Sequence, residues 1–72
     1  MTELRFHRSL YRGQAVVEAT KVYAKLATCE ELEDAEHWIV RVSATSPARE
    51  LRVVRELANY ALGLTIAQDP RR

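Results

Sequence analysis

The sequence predicts a small α+β domain: an antiparallel sheet with two helices packed on one face. Three observations carry this prediction. Two segments alternate apolar and polar residues with period two, two others repeat apolar residues at helical spacing, and the two kinds are interleaved along the chain. With 72 residues, positions 1–72 make one domain and leave no room for a second.

The elements follow in order. In residues 3–10, Leu4 and Phe6 point one way and Arg5 and His7 the other, as in a half-buried strand. After the Arg12-Gly13 break, Ala15, Val16, Ala19, Val22, Tyr23 and Leu26 fall on one arc of about 120° with Glu18, Lys21 and Lys25 opposite, which predicts a helix over 13–27. Residues 28–34 are short and acidic and read as a weak strand carrying Cys29 and Leu32 into a turn. From His37 the alternation returns, with Trp38, Val40, Val42 and Ala44 on one face and His37, Ile39, Arg41 and Ser43 on the other. Its β-branched content suits a strand. Ser46-Pro47 opens a second helix, because a serine hydroxyl caps exposed N–H groups and proline fits the first helical position. Leu51, Val54, Leu57, Ala58, Ala61 and Leu62 form its main apolar face, and Gly63 offers a stop, so this helix is predicted over 47–62. Residues 64–67 suit either a short last strand or a further turn of helix, and both stay open. The tail 68–72, holding Asp69-Pro70, is expected to fray.

This order, βαββα with an optional final strand, is the split βαβ pattern of ferredoxin-like domains. In that layout the first and third strands lie side by side in the middle of the sheet, joined through a right-handed crossover by the first helix. If 64–67 does not pair, the outer edge of the first strand is free, and a free edge accepts another strand. The second helix also carries more apolar surface than one face requires. Val53, Leu57, Tyr60 and Leu64 add a stripe to the main face, and together the two cover roughly 200° against the 100° or so of a one-sided helix. Either the first helix takes up Val53 and Tyr60, or the stripe docks a partner protein or a second copy. A homodimer would ease the shortage of core in so short a chain.

Composition bounds the function from the other side. Hydrophobic residues at 47% and charged residues at 29% fit a folded globular domain rather than a disordered one. A formal charge of +1 gives no bulk attraction to nucleic acid or to an anionic membrane. The first eight residues carry charges where a secretory leader needs an apolar run, and no segment is apolar over the roughly 20 residues a bilayer requires. The single cysteine, Cys29, forms no internal disulfide, which points to a reducing cytoplasm.

Chemistry-bearing constellations are thin. His7, Cys29 and His37 do not stand at zinc-site spacing, and the acidic run Glu30, Glu31, Glu33, Asp34 and Glu36 lacks the glycine and alternating ligands of a calcium loop. No nucleophile sits beside a base, and the only glycines, Gly13 and Gly63, are too far apart to cradle a phosphate. No cofactor and no catalysis are expected. Arg49, Arg52 and Arg55 on the second helix, interrupted by Glu50 and Glu56, offer a broken basic surface, and the open sheet face lacks the aromatics of an RNA-binding sheet.

Three segments carry a family likeness: 9–16 (SLYRGQAV), 38–42 (WIVRV) and 56–62 (ELANYAL). With the element order, they resemble HxsD, the small protein of His-Xaa-Ser maturation systems. The first helix departs from that pattern in opening on a glycine rather than on a serine-type cap. The resemblance implies a bacterial accessory protein that works beside radical-SAM enzymes acting on a peptide rich in His-Xaa-Ser repeats. The iron–sulfur chemistry would belong to those enzymes, since one cysteine cannot replace a cluster's several thiolates. The function expected is therefore non-catalytic binding. An extended peptide would add to the edge of the first strand along Leu4, Arg5, Phe6, His7 and Arg8, or the enzyme would dock on Val53, Leu57, Tyr60 and Leu64. A small ligand-binding or regulatory domain is the alternative, with nucleic-acid binding behind it.

Overall fold

The computed structural model describes residues 1–67, and the tail expected to fray lies outside them. Five elements follow one another: β1 (Thr2–His7), α1 (Gly13–Tyr23), β2 (Thr28–Glu33), β3 (His37–Ser43) and α2 (Pro47–Ala67). The three strands form one antiparallel sheet in the order β1-β3-β2. The class is therefore α+β. The first and third strands are neighbours, as expected, but the crossover through α1 joins β1 to β2, which flank β3 on opposite sides. With three strands, β3 alone is central.

Register explains the layering. Leu4 faces Val40 and Phe6 faces Trp38 across the β1–β3 ladder, while Cys29 faces Val42 across β2–β3. Residues paired in this way share a face of the sheet, so these side chains form the helix-facing surface. Phe6, Val40 and Val42 are buried there with Val16 and Ala19 of α1 and Val53, Leu57 and Ala61 of α2. Helix α1 lies against β2 and β3, α2 lies against β1 and β3, and the helices pack on each other.

Two helix ends differ from the sequence reading. Helix α1 stops at Tyr23 instead of running to Ala27, because a tight turn follows in which the Leu26 and Ala27 N–H groups both donate to the Tyr23 carbonyl at 3.0 and 3.2 Å. Val22 and Leu26, read as core, are about half exposed as a result. Helix α2 runs through Gly63 to Ala67, so 64–67 is helix and no fourth strand forms among the described residues. Gly63 keeps a negative φ, and the turn beyond it is held by half-buried Leu64 and by the Thr65 hydroxyl, which accepts the Arg12 N–H at 3.3 Å. At the other end the Ser46 hydroxyl accepts the Arg49 N–H at 3.2 Å, the cap that Ser46-Pro47 announced.

Half-buried Glu50 ties three segments together. Its carboxylate accepts the Thr2 hydroxyl at 2.6 Å and the Ala44 N–H at 3.2 Å, fixing the start of β1 and the β3–α2 link to the first turn of α2. The Thr2 bond, then the Ala44 bond, holds the carboxyl below its usual range.

The two glycines make opposite predictions. A Cβ at Gly63 meets nothing within 4 Å and the backbone is helical, so Gly63→Ala is expected to raise stability by about 0.5–1 kcal/mol in urea denaturation. At Gly13 the same Cβ would stand 2.8 Å from the Trp38 ring, so Gly13→Ala is expected to cost about 1–3 kcal/mol. Glu50 predicts a pH dependence. A carboxyl whose folded-state pKa is lowered gives stability that is complete above the unfolded value, ordinarily 4.5, and is lost as pH falls through the lowered one. The stability gap between the native chain and Glu50→Gln should therefore be widest at neutral pH and close in acid, as read from denaturation midpoints across pH.

Candidate functional site

The helix-facing side of β2 is the anomaly of the sheet. Cys29, Glu31 and Glu33 pair with Val42, Val40 and Trp38, so two carboxylates occupy the face that should be apolar. They are tolerated because α1 leaves the outer margin of β2 uncovered, and every β2 residue except Cys29 is exposed. Between the start of α1 and the β2–β3 hairpin lies a cleft of about 420 Å³. Its apolar walls come from Val16, Val17, Trp38 and Val40, and Glu31 and Glu33 line its outer side.

Trp38 is held on three sides. Its indole N–H donates to the Tyr11 carbonyl at 3.2 Å, the Arg8 guanidinium lies 4.0 Å from the ring centroid, and Gly13 leaves space for the ring beneath the first turn of α1. Arg8 also donates to Glu33 at 2.6 Å, bridging the β1–α1 loop to β2. The Tyr11 ring stands edge-on to Phe6 at 4.9 Å. Glu31 has no ion-pair partner among the described residues, whereas Glu30 approaches Arg41 at 3.7 Å and Glu33 has Arg8.

Apart from the paired Leu32 and Ile39, the opposite sheet face is polar and its charges are of both signs. Glu3 accepts from Arg5 at 2.8 Å and from Arg41 at 3.3 Å, and these bonds, Arg5 first, lower its pKa. His7 and His37 face each other across the ladder with ring centroids 5.2 Å apart. The Nδ1 of His7 is engaged with the Ser9 hydroxyl at 2.7 Å, and Asp34 accepts the Glu36 and His37 N–H groups at 2.8 and 2.7 Å, closing the hairpin turn. Those backbone bonds, Glu36 first, keep the Asp34 pKa low. No group of three or more metal-ligating side chains occurs among the described residues. Burial, and then the charge of Glu31, push the Cys29 thiol up, which disfavours a thiolate.

The residues singled out from sequence fall into two groups. Of the stripe expected to dock a partner, Val53 and Leu57 are buried in the protomer's own core at 3% and 0% exposure, so neither is free for a partner. Tyr60 sets its ring edge-on to Tyr23 of α1 at 6.1 Å, and Leu64 is half-buried. Val53, Leu57 and Leu64 lie on the packed side of α2, whereas Tyr60 stays 40% exposed beside α1. Further apolar surface is open on the other flank, where Leu51 and Leu62 of the face first read as the main one are 58% and 42% exposed, with Ile66 at 43% beyond them. The β1 group divides as its alternation requires. Phe6 is buried and Leu4 half-buried, Arg5 and His7 are exposed on the polar face, and Arg8 has left the strand to lie over Trp38. The outer edges of both β1 and β2 are unpaired among the described residues. No described helix is long and apolar enough to cross a membrane. Compared with protein-family models, curated proteins and solved structures, the chain matches none.

The three-sided hold on Trp38 predicts a measurable cost. Trp38→Phe keeps the ring's bulk but leaves the Tyr11 carbonyl without its donor and weakens the Arg8 contact, so stability should fall by about 1–2 kcal/mol in urea denaturation followed by far-UV circular dichroism.

Proposed function

We propose that this chain is a non-catalytic binding module that takes an extended, basic peptide as an added strand on the outer edge of β2. The observation that carries the reading is the coincidence of an open strand edge with an apolar cleft beneath it and unpaired Glu31 beside it. Strand addition draws affinity from main-chain hydrogen bonds and specificity from alternate side chains. Every second peptide side chain would drop into the cleft against Val16 and Trp38, and a cationic one would meet Glu31. The same carboxylates oppose self-pairing of β2, since like charges directly across a ladder are unfavourable.

The finer fold reading belongs here as well. The order β1-β3-β2 with both helices on one face is compatible with a ferredoxin-like split βαβ whose fourth strand is missing. The likeness to HxsD supports an accessory role beside a radical-SAM maturation enzyme, presenting a peptide rich in His-Xaa-Ser repeats. Imidazoles of such a repeat suit the aromatic wall, and protonation, centred near pH ~6.5 for a free histidine, adds attraction to Glu31. Peptide addition on the β1 edge, along Leu4 to Arg8, is the competing placement. It has the open edge but not the cleft.

Titration of a His-Xaa-Ser repeat peptide into isotope-labelled protein decides between them. Amide shifts along Thr28–Glu33, with a change in the emission of the single tryptophan, are expected, and Glu31→Lys should weaken binding about tenfold. Shifts confined to Thr2–His7 or to α2 would overturn the placement on β2.

A further inference from the structure

We propose that the outer edge of β1 and the exposed flank of α2 are two halves of one interface, and that a second copy of this chain occupies it about a two-fold axis. The inference stands apart from the peptide reading, which concerns the opposite edge of the sheet.

The two features lie on the same side of the molecule. Helix α2 covers β1 and β3 and has α1 on its other side, so its flank turned away from α1 overhangs the β1 edge. Successive residues turn about 100° around a helix. From Leu57 at the centre of the buried face, Tyr60 lies toward α1, where it meets Tyr23. Val54, Ala58, Leu51 and Leu62 lie the other way, roughly 60–140° round. Val54 and Ala58 are half-buried against the core and Leu51 and Leu62 are exposed, which marks a continuous apolar flank whose outer part no described residue covers.

A second copy pairing β1 with β1 satisfies edge and flank together. For both helix layers to lie on one face of the joined sheet, residues meeting across the new ladder must share a face, which limits the register to steps of two. Centring on Glu3 sets glutamate against glutamate, and centring on Arg5 sets arginine against arginine. Centring on Leu4 places Glu3 opposite Arg5 of the partner subunit, and Arg5 opposite the partner's Glu3, with Leu4 meeting its own copy. Charge therefore selects one register, and it is self-complementary, as an isologous contact must be.

The helices fit that register. Thr2 bonds to Glu50 at one end, and Arg12, beyond β1, bonds to Thr65 at the other, so α2 runs alongside β1 in the same sense. A strand advances about 3.3 Å per residue and a helix 1.5 Å, which sets Leu4 beside the turn holding Val54. A two-fold through Leu4 then sets Val54 against its own copy at the axis and brings Leu51 opposite Ala58 of the partner subunit. With strands about 4.8 Å apart, and each α2 seated over β1 and β3, the two α2 axes come about 10 Å apart, the spacing of packed helices. The product is a six-stranded sheet with both β2 edges outermost, still open.

Sedimentation velocity over a concentration series tests this. The native chain is expected at twice its chain mass at micromolar concentration. Arg5→Glu and Glu3→Arg each set like charges across the axis and are expected as monomers, whereas an equal mixture of the two restores opposite pairs and is expected to sediment as a heterodimer. Leu51→Glu, at an exposed position, is expected as a folded monomer with an unchanged far-UV spectrum. A native chain that stays monomeric overturns the proposal, and so does a dimer that survives both Arg5→Glu and Leu51→Glu. Failure of the charge mixture to recover the dimer overturns the register.

Discussion

The packing of the Trp38 indole beneath the first turn of α1 is the contact on which the placement of everything else depends. Gly13 allows it, since any side chain there would meet the ring, and the Tyr11 carbonyl and Arg8 guanidinium hold the ring's other sides. The contact fixes the N-terminus of α1 against Trp38 of β3. A helix pinned there cannot also seal the sheet's outer margin. The cleft, and the tolerance of Glu31 and Glu33 on a helix-facing surface, are consequences of that one close approach. The loop from β1 to α1 is stiffened by the same residues, because Arg8 and Tyr11 belong to it, and Arg8 carries the tie onward to Glu33.

A three-stranded sheet under two helices is an incomplete solution for so short a chain. A domain of this size buries only about 60% of the surface its extended chain exposes, less than larger domains do, and its largest fully buried side chains are Leu57, Val40 and Val42. Both outer strands leave backbone groups without sheet partners, and α2 keeps apolar area that α1 does not reach. The two edges differ in chemistry. Along β2 the charges are of one sign, which repels its own kind and attracts cations. Along β1, Glu3 and Arg5 alternate in sign, so a copy of the strand is electrostatically acceptable to itself. The proposed occupants follow that difference, a cationic peptide for the edge of one sign and a second copy for the edge of mixed sign.

Much of the fold was legible locally. Alternation in β1 and β3 and the Ser46-Pro47 start of α2 each depend on neighbours within a few residues and each is found, although β1 ends at His7 rather than at Leu10, where the Leu10 and Tyr11 N–H groups turn back to the His7 carbonyl. The end of α2 was not legible, because Gly63 signals a stop only if nothing beyond it packs. Leu64 packs, and Thr65 receives the Arg12 N–H, a partner 53 positions away in sequence. Nor could a helical wheel say which of two apolar arcs on α2 faces inward. The arc containing Val53 and Leu57 won because α1 lies beside it, and the location of α1 is set by Trp38, for which no local pattern exists. The acidic character of β2 made it the weakest strand by alternation. Its charge reflects what α1 leaves uncovered, a tertiary fact.

That dependence bears on how the candidate site should be understood. A cleft created by what a helix does not cover has no dedicated motif, and its residues look like ordinary core and surface: Val16 and Val40 would be buried in any such fold, and Glu31 would be a solvated charge. What distinguishes them is that one main-chain edge runs alongside both. Strand addition demands little else, since the backbone supplies most of the contact and the cleft only has to accept alternate side chains. On the proposed reading, recognition of another polypeptide would therefore rest on the geometry of an unfinished sheet and not on a reactive cluster.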